Sequence, residues 1–430
     1  MISKLLLLAA TGELTKDYWI ARLSTASNDE YVSGIAVTAN NDIYFCGRYP
    51  TSPGYALIGK MDKNANLSWQ RSLGSGGFYS YAAVGIALDS SENSYIALNE
   101  SGGGTLAVVC SYSSSGSIRW QRRITNAYIN AIATNSSGDT YIAGYTGSFG
   151  AEEAYIAKYN SSGVLQWQKI LSMDEGQSSL YRAITLDASN NPVVCGNYAP
   201  STFNRFLTVK YNSSGALQFQ RSVHTTDANW TATAIATDAS SNVFVFGKGN
   251  DALGAIKYTS NGTYSASTII NRTINSVAAA AKDSSGNIYI VSTDNIGTYF
   301  SGTERRNDFY AVKYDNSLSV QYQRYLGTTN SETAYAVAVQ PFSLYLAGAA
   351  FTSFVFGPTA PNGLIAHLAL NGSGTGTHGS YYYNSASWST ASMTLLFNTT
   401  SISDNSVTLT EAASTLADSA VTLTVTKTDV

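Results

Sequence analysis

Histidines, carboxylates and cysteines are the side chains from which hydrolytic or metal chemistry would be built, and their spacing in these 430 residues does not assemble it. The three histidines, His224, His367 and His378, stand far apart. No His-Glu-x-x-His pair, Gly-x-Ser-x-Gly elbow or phosphate-cradling glycine loop occurs. Glu152, Glu153, Asp174 and Glu175 are the acids a glycan-cleaving site would draw on, since two carboxylates from separate elements suffice for that reaction. Asp89, Asp187, Asp238 and Asp283 recur in Asp-x-Ser-x-Asn contexts. A calcium loop needs several carboxylates in one loop, whereas each of these stretches offers one Asp. That Asp is expected to cap its own turn through side-chain to backbone hydrogen bonds. No catalytic, metal-ligating or cofactor-binding residue is therefore expected, and the chain reads as a binding or structural protein, not an enzyme.

Two further rows repeat at fixed spacing. Counting nine residues on from Lys60, Ser111, Lys158, Lys210, Lys257 and Lys313 reaches Trp69, Trp120, Trp167, Phe219, Ala266 and Tyr322, aromatic in every case but one. A sugar platform or an anion site would be written once. Rows repeated in every unit point instead to packing between units, with each Lys stem covering apolar surface and its head meeting a polar neighbour.

The elements that carry these rows are internal repeats, which overrule the roughly three domains that length alone would suggest. An apolar strand, a turn and a second strand run from Ala131 to Gly144, and copies begin near Gly34, Gly85, Ala183, Ala234, Ala279 and Ala336. A third strand follows each, ending in Lys-Tyr in four copies, and in six copies a turn and a fourth strand come after it. Four short strands of period-two alternation in about 50 residues are the unit of a β-propeller. Seven copies predict an all-β, seven-bladed β-propeller of four-stranded blades.

The seventh copy lacks its last strand, because nine residues past His367 lies Gly376 in a glycine-rich run. Trp19-Ile20-Ala21-Arg22-Leu23 matches Trp69-Gln70-Arg71-Ser72-Leu73 and is expected to supply that strand and latch the ring. The organisation predicted is a docking segment over 1–17, a propeller over 18–370, and over 371–430 a Gly-rich linker with a strand-rich C-terminal appendage. In the appendage Asp404 to Thr410 echoes fourteen residues later as Asp418 to Thr424. So short a piece is expected to pair with the propeller, a second copy or a partner.

Composition narrows the partners. Net charge is -3 and 12% of residues are charged, so neither nucleic acid nor an anionic membrane is expected to bind. No stretch of about 20 apolar residues offers a transmembrane helix, and Leu5 to Ala10 is short for a signal-peptide core. The three cysteines, Cys46, Cys110 and Cys195, align with small apolar residues of other repeats and are expected as buried thiols. Recognition is expected in the segments that break the repeat, 149–153, 173–179, 225–230, 297–308 and 351–362. Trp230, Tyr299, Phe300, Arg305 and Arg306 are the candidate interface residues there.

The phrase Ala-Ile-Ala-x-Asp-x-Ser-Gly-Asn-x-Tyr-Ile-x-Gly, near-matched at Ala131 to Gly144 and Ala279 to Val291, resembles the bacterial SBBP β-propeller repeat family. That family is defined by its fold and does not fix an activity. The ends, Leu5 to Ala10 leading into Asp17-Tyr18-Trp19-Ile20 and the Thr/Leu-rich finish, look like virion propeller proteins of marine tailed bacteriophages. This resemblance implies a tail-associated virion protein, present in multiple symmetric copies, contacting other tail proteins or a host surface glycan or protein. The alternatives are a secreted or surface-anchored bacterial propeller that binds glycan or protein, and a glycan-cleaving propeller.

Overall fold

A computed structural model describes residues 18–429 apart from 25–29, 50–53, 75–79, 103–105, 149, 173–177, 200–203, 225–228, 250–251, 273, 298–304, 329, 351–361, 374–375, 379–380, 387–389, 392–395, 399–402, 407–410, 414–416 and 421–423. The described residues form seven antiparallel sheets and no helix. Six sheets are consecutive repeats: blade 1 over 31–74, blade 2 over 80–125, blade 3 over 127–172, blade 4 over 178–224, blade 5 over 230–270 and blade 6 over 274–327. Blade 7 takes three strands from 332–369 and its fourth from Trp19–Ser24, with Trp19 opposite His367 and Ala21 opposite Ile365. The N-terminal strand closes the ring, as the sequence match requires.

Local chemistry makes the blades alike. In the turn between the first two strands of blade 2, Asp89 Oδ1 accepts the N–H groups of Ser91 and Asn93, and Oδ2 accepts the Asn93 amide. Asp187, Asp238 and Asp283 do the same in their own turns. These acids are turn caps. Every innermost strand shifts register at one equivalent place, just before Gly34, Gly85, Ala131, Ala183, Ala234, Ala279 and Ala336. Blades converge at the axis, so only small residues fit after that bulge. A Cβ on Gly34 would lie 3.1 Å from the Cα of Gly85 in the next blade.

The aromatic row joins neighbours. The indole N–H of Trp19, Trp69, Trp120 and Trp167 donates to the carbonyl of Lys63, Ser114, Ser161 and Ser213, each in the outer turn of the following blade. Gly116, Gly163, Gly215 and Gly262 hold positive φ in those turns, where a Cβ would press within 2.9 Å of the preceding blade's ring. Glycine serves there for conformation and for space at once. Blade 5 departs from the rule with Ala266, and the next turn departs with it: Leu318 holds φ 66° where glycine is usual, 3% exposed in the cluster on which Ala266 packs.

The Lys row is likewise structural. Lys60 lies 3.0 Å from Asp42 and 3.2 Å from Glu92, Lys158 lies 2.9 Å from Asp139, and Lys210 lies 2.8 Å from Asp187. Lys257 donates to the carbonyl and side-chain oxygens of Asn316, and Lys313 rides over the Tyr289 ring. The cysteines are buried in blades 1, 2 and 4, and burial pushes the Cys46 thiol up to about 12.

Each blade's own four strands are joined at the outer edge by a strand of the C-terminal segment, which thus pairs with the propeller, one of the three partners its shortness led us to expect. The segment runs once around the perimeter, pairing antiparallel with the outermost strand of blade 6, then 5, 4, 3, 2, 1 and finally the closing strand of blade 7. Tyr383, Thr390, Phe397, Asp404, Glu411, Asp418 and Val425 stand opposite Leu326, Ile270, Val223, Leu171, Ile124, Leu73 and Leu23. Those seven partners are equivalent positions in their blades, and the belt residues are seven apart throughout. The fourteen-residue echo in the sequence is therefore two steps of this belt. Seven extended residues reach at most about 25 Å, enough to pair with one outer strand and cross to the next.

Candidate functional site

In a ring of antiparallel meanders, alternate connections emerge on opposite faces. The first-to-second and third-to-fourth connections are tight turns, as at 38–42, 62–66, 89–93, 113–117 and 160–164. The second-to-third and blade-to-blade connections leave by the other face. All five segments that break the sequence repeat are of this second kind, so the strand ends flanking them share one face. We call it the loop-bearing face.

Where that face meets the axis, the innermost strands line a channel. These strands are Tyr31–Val37, Ser80–Leu88, Ala127–Thr134, Ser178–Leu186, Trp230–Thr237, Ile274–Lys282 and Glu332–Gln340, each touching its two neighbours around the ring. Ser33, Val84, Asn130, Arg182, Thr233, Ala278 and Tyr335 occupy the bulged position, at least partly open to solvent. Three of them stitch blade to blade. Ser33 donates to the Ala83 carbonyl at 2.5 Å, Asn130 to Tyr181 at 2.6 Å and Thr233 to Val277 at 2.7 Å.

One sector of the channel breaks the sevenfold pattern. Tyr335 of blade 7 and Tyr31 of blade 1 lie with ring centroids 5.5 Å apart, and Tyr128 and Tyr145 of blade 3 stack at 5.2 Å. Blade 2 contributes only Ala82 and Val84 between them, and across this gap Tyr31 senses Tyr128. Burial first, then Tyr335, push the Tyr31 hydroxyl up to about 12, with Arg48 opposing. Beside the tyrosines on blade 4, Arg182 donates from Nε to Asn197 Oδ1 at 2.8 Å. Burial in the channel lowers its pKa, although the side chain still meets solvent.

Among the described residues, three carboxylates of this face, Glu152, Asp294 and Glu332, have internal partners. Glu152 accepts from Ser178 at 2.5 Å and from the Gly150 N–H at 3.1 Å; burial opposes ionisation, and these hydrogen bonds still hold the carboxyl below its ordinary range. Asp294 pairs with Arg272 at 3.0 Å and accepts from Tyr325. Glu332, fully buried, accepts from the Thr328 hydroxyl at 2.5 Å and its N–H at 3.1 Å. Burial pushes Glu332 up to about 8; neighbouring Asp308 adds to the rise and Thr328 opposes it. Among the described residues no group of three or more His, Cys, Asp or Glu is placed to hold a metal ion. Asp174 and Glu175 lie outside the described residues.

Of the interface candidates, Trp230 is corrected. It is 5% exposed, its ring meets Phe206 edge-on at 5.5 Å, and a Cβ on Gly249 would lie 2.2 Å from it, so it fills the wall between blades 4 and 5. An aromatic at the start of an inner strand faces the neighbouring sheet, which a loop-centred reading does not register. Tyr299 and Phe300 lie outside the described residues. Arg305 and Arg306 open the strand Arg305–Tyr314 opposite Gly297 and Ile296, and their side chains lie outside the described residues. Sequence reasoning missed Tyr31, Tyr128, Tyr335 and Arg182. Their signal was present in the aligned repeats, as bulky or charged residues at positions that other copies fill with Ser, Thr or Ala.

No protein-family model matches the chain, and no curated protein matches it. Among solved structures, Sqt1 from Chaetomium thermophilum is 8% identical with a TM-score of 0.47, covering 81% of this chain and 99% of that one. The polysaccharide lyase Uly1 is 10% identical with a TM-score of 0.47, covering 81% and 91%. XC5397 from Xanthomonas campestris, a gluconolactonase, is 10% identical with a TM-score of 0.37, covering 68% and 90%. Enzymes and a protein bound to a ribosomal-protein N-terminus both occur among these neighbours.

Proposed function

We propose that this chain is a structural recognition module of a tailed-bacteriophage particle, tail-associated, which contacts a host surface or neighbouring tail proteins through its loop-bearing face. The observation that carries the reading is the distribution of irregularity. One face is short turns, most of them capped by an Asp, Asn, Ser or Thr side chain, and the perimeter is lined by the belt. The channel sector of Tyr31, Tyr128, Tyr145, Tyr335 and Arg182 opens on the loop-bearing face, where all five irregular segments emerge. A rigid ring with variable connections on one side is the arrangement in which recognition is carried by loops. The belt supports life on a particle surface, because it pairs with the outer strand of every blade, the edge on which sheets otherwise associate.

The module acts by binding, and among its described acids Glu152, Asp294 and Glu332 are held by internal partners. Mass spectrometry of purified particles is expected to find this chain, and labelling of intact particles is expected to reach the loop-bearing face. A chain recovered only from the bacterial envelope or medium would overturn the virion assignment.

A further inference from the structure

Blades 6 and 7 meet through a seam built on acids. The Asn307 N–H donates to Ser331 Oγ at 3.4 Å, and the Ala334 N–H donates to Thr293 Oγ1 at 2.9 Å. These bonds tie the first strand of blade 7, Glu332–Gln340, to the second and third strands of blade 6, Ile288–Gly297 and Arg305–Tyr314. Asp308 follows Asn307 and Glu332 follows Ser331, so the two acids face each other across the seam, joined by a side-chain hydrogen bond, and Asp294 stands opposite Asp308 in blade 6. All three are at most 1% exposed. At the other six seams the equivalent pair holds at most one acid, as in Glu153 with Ser179 and Asn362 with Glu30.

Charge at this depth has to be matched. Asp294 is matched by Arg272 at 3.0 Å and accepts from Tyr325. Glu332 forms no ion pair among the described residues: Thr328 gives its oxygens a hydroxyl and an N–H, and the group across the seam is a second carboxyl. Around it, Tyr310 and Tyr325 of blade 6 bring phenols, Ala350 lies opposite within blade 7, and Glu30 and Tyr31 stand at the same end of the inner strand of blade 1. Lys282 ends its strand on the far face, and Arg305 and Arg306 open the Asp308 strand with side chains outside the described residues. Two ionised carboxyls in contact repel most where water is excluded, so one proton shared between them is the stable arrangement. Burial, with Thr328 opposing and Asp308 adding, carries the Glu332 proton up to about 8.

We infer that the seam between blades 6 and 7 is a proton-operated latch, shut while Glu332 shares its proton with Asp308 and loosened when that proton passes to solvent and leaves two carboxylates face to face. The latch sits at the roots of two connections on the loop-bearing face, one flanked by Gly297 and Arg305 and the other by Gly327 and Glu332, so its state sets the spacing of those strand ends. It is independent of where the chain resides.

The test is amide hydrogen exchange of the full chain, read peptide by peptide from about pH 5 to 9 and corrected for the intrinsic exchange rate at each pH. The opening constant at 305–312 and 330–336 is expected to rise by up to about tenfold per pH unit toward pH 8 and to level off above it, because the opened seam ionises Glu332 in the ordinary carboxylate range and the closed seam does not. Opening at the seam between blades 1 and 2, over 54–58 and 80–84, is expected to stay flat across the same range. Glu332→Gln is expected to abolish the rise. Asp308→Asn is expected to bring the levelling-off to lower pH, since Glu332 then loses the neighbouring charge that helps hold its proton. If Glu332→Gln fails to fold, Asp308→Asn decides alone. A flat profile at the seam between blades 6 and 7, a rise shared by every seam, a rise that survives Glu332→Gln, or a levelling-off that Asp308→Asn leaves in place overturns the latch.

Discussion

Ala266 and Leu318 replace, together, the ring and the glycine that occupy their places at most other blade junctions. The paired change predicts a measurable coupling. Ala266→Trp alone drives an indole toward space that buried Leu318 fills, and overpacking of this kind costs about 1–3 kcal/mol. Leu318→Gly alone deletes a buried side chain, a loss of about 2–5 kcal/mol, offset by about 1–2 kcal/mol because the left-handed backbone at φ 66° no longer carries a Cβ. The double variant rebuilds the junction seen at Trp69 and Gly116. Its indole N–H gains the Asn316 carbonyl, which lies two residues before Leu318 as Ser114 does before Gly116. Lys257 already uses that carbonyl, but Ser213 shows one such oxygen accepting from both Lys158 and Trp167. The double variant is therefore expected to sit about 2–3 kcal/mol above the sum of its parts. Urea unfolding of wild type, both singles and the double measures this, provided the four curves share a slope. Losses that simply add would show that the two positions do not share space, and the complementarity argument would fail.

Glu332 makes stability pH-dependent in a definite direction. Its folded pKa, about 8, lies above the ordinary carboxylate value, so the folded state holds the proton more tightly. This contribution is complete below about pH 4 and is lost as pH rises toward 8, at up to about 1.4 kcal/mol per unit. Melting temperatures that fall across that window, and fall less in Glu332→Gln, are the expected result. Deleting 371–430 uncovers the outer strand of every blade and is expected to yield a ring that melts earlier and associates through its edges, detectable by light scattering. Thiol labelling of the folded chain is expected to be negligible until denaturant is added, because Cys46, Cys110 and Cys195 are buried.

The repeat was legible because packing between equivalent sheets demands the same residue at the same place. Trp69, Trp120 and Trp167 could be aligned for that reason, and the match of Trp19 to Trp69 located the closing strand. The belt was not legible as a belt. Its pairing is by backbone hydrogen bonds along an outer edge, which places little demand on residue type, so Thr390, Asp404 and Val425 share a register without sharing chemistry. The channel sector was missed for the opposite reason. A site is made by the copies that disobey a repeat, and Tyr335 or Arg182 becomes visible once bulged positions are laid side by side.

The belt leaves blade 7 at Ala369 and comes back to blade 7 at Thr424, so the polypeptide makes a second, counter-running lap, a continuous hoop fastened at its end by strand pairing. Prying any two staves apart must stretch that hoop as well as strip one sheet from another. Without residues 424–429 the closing strand Trp19–Ser24 would be held from one side alone.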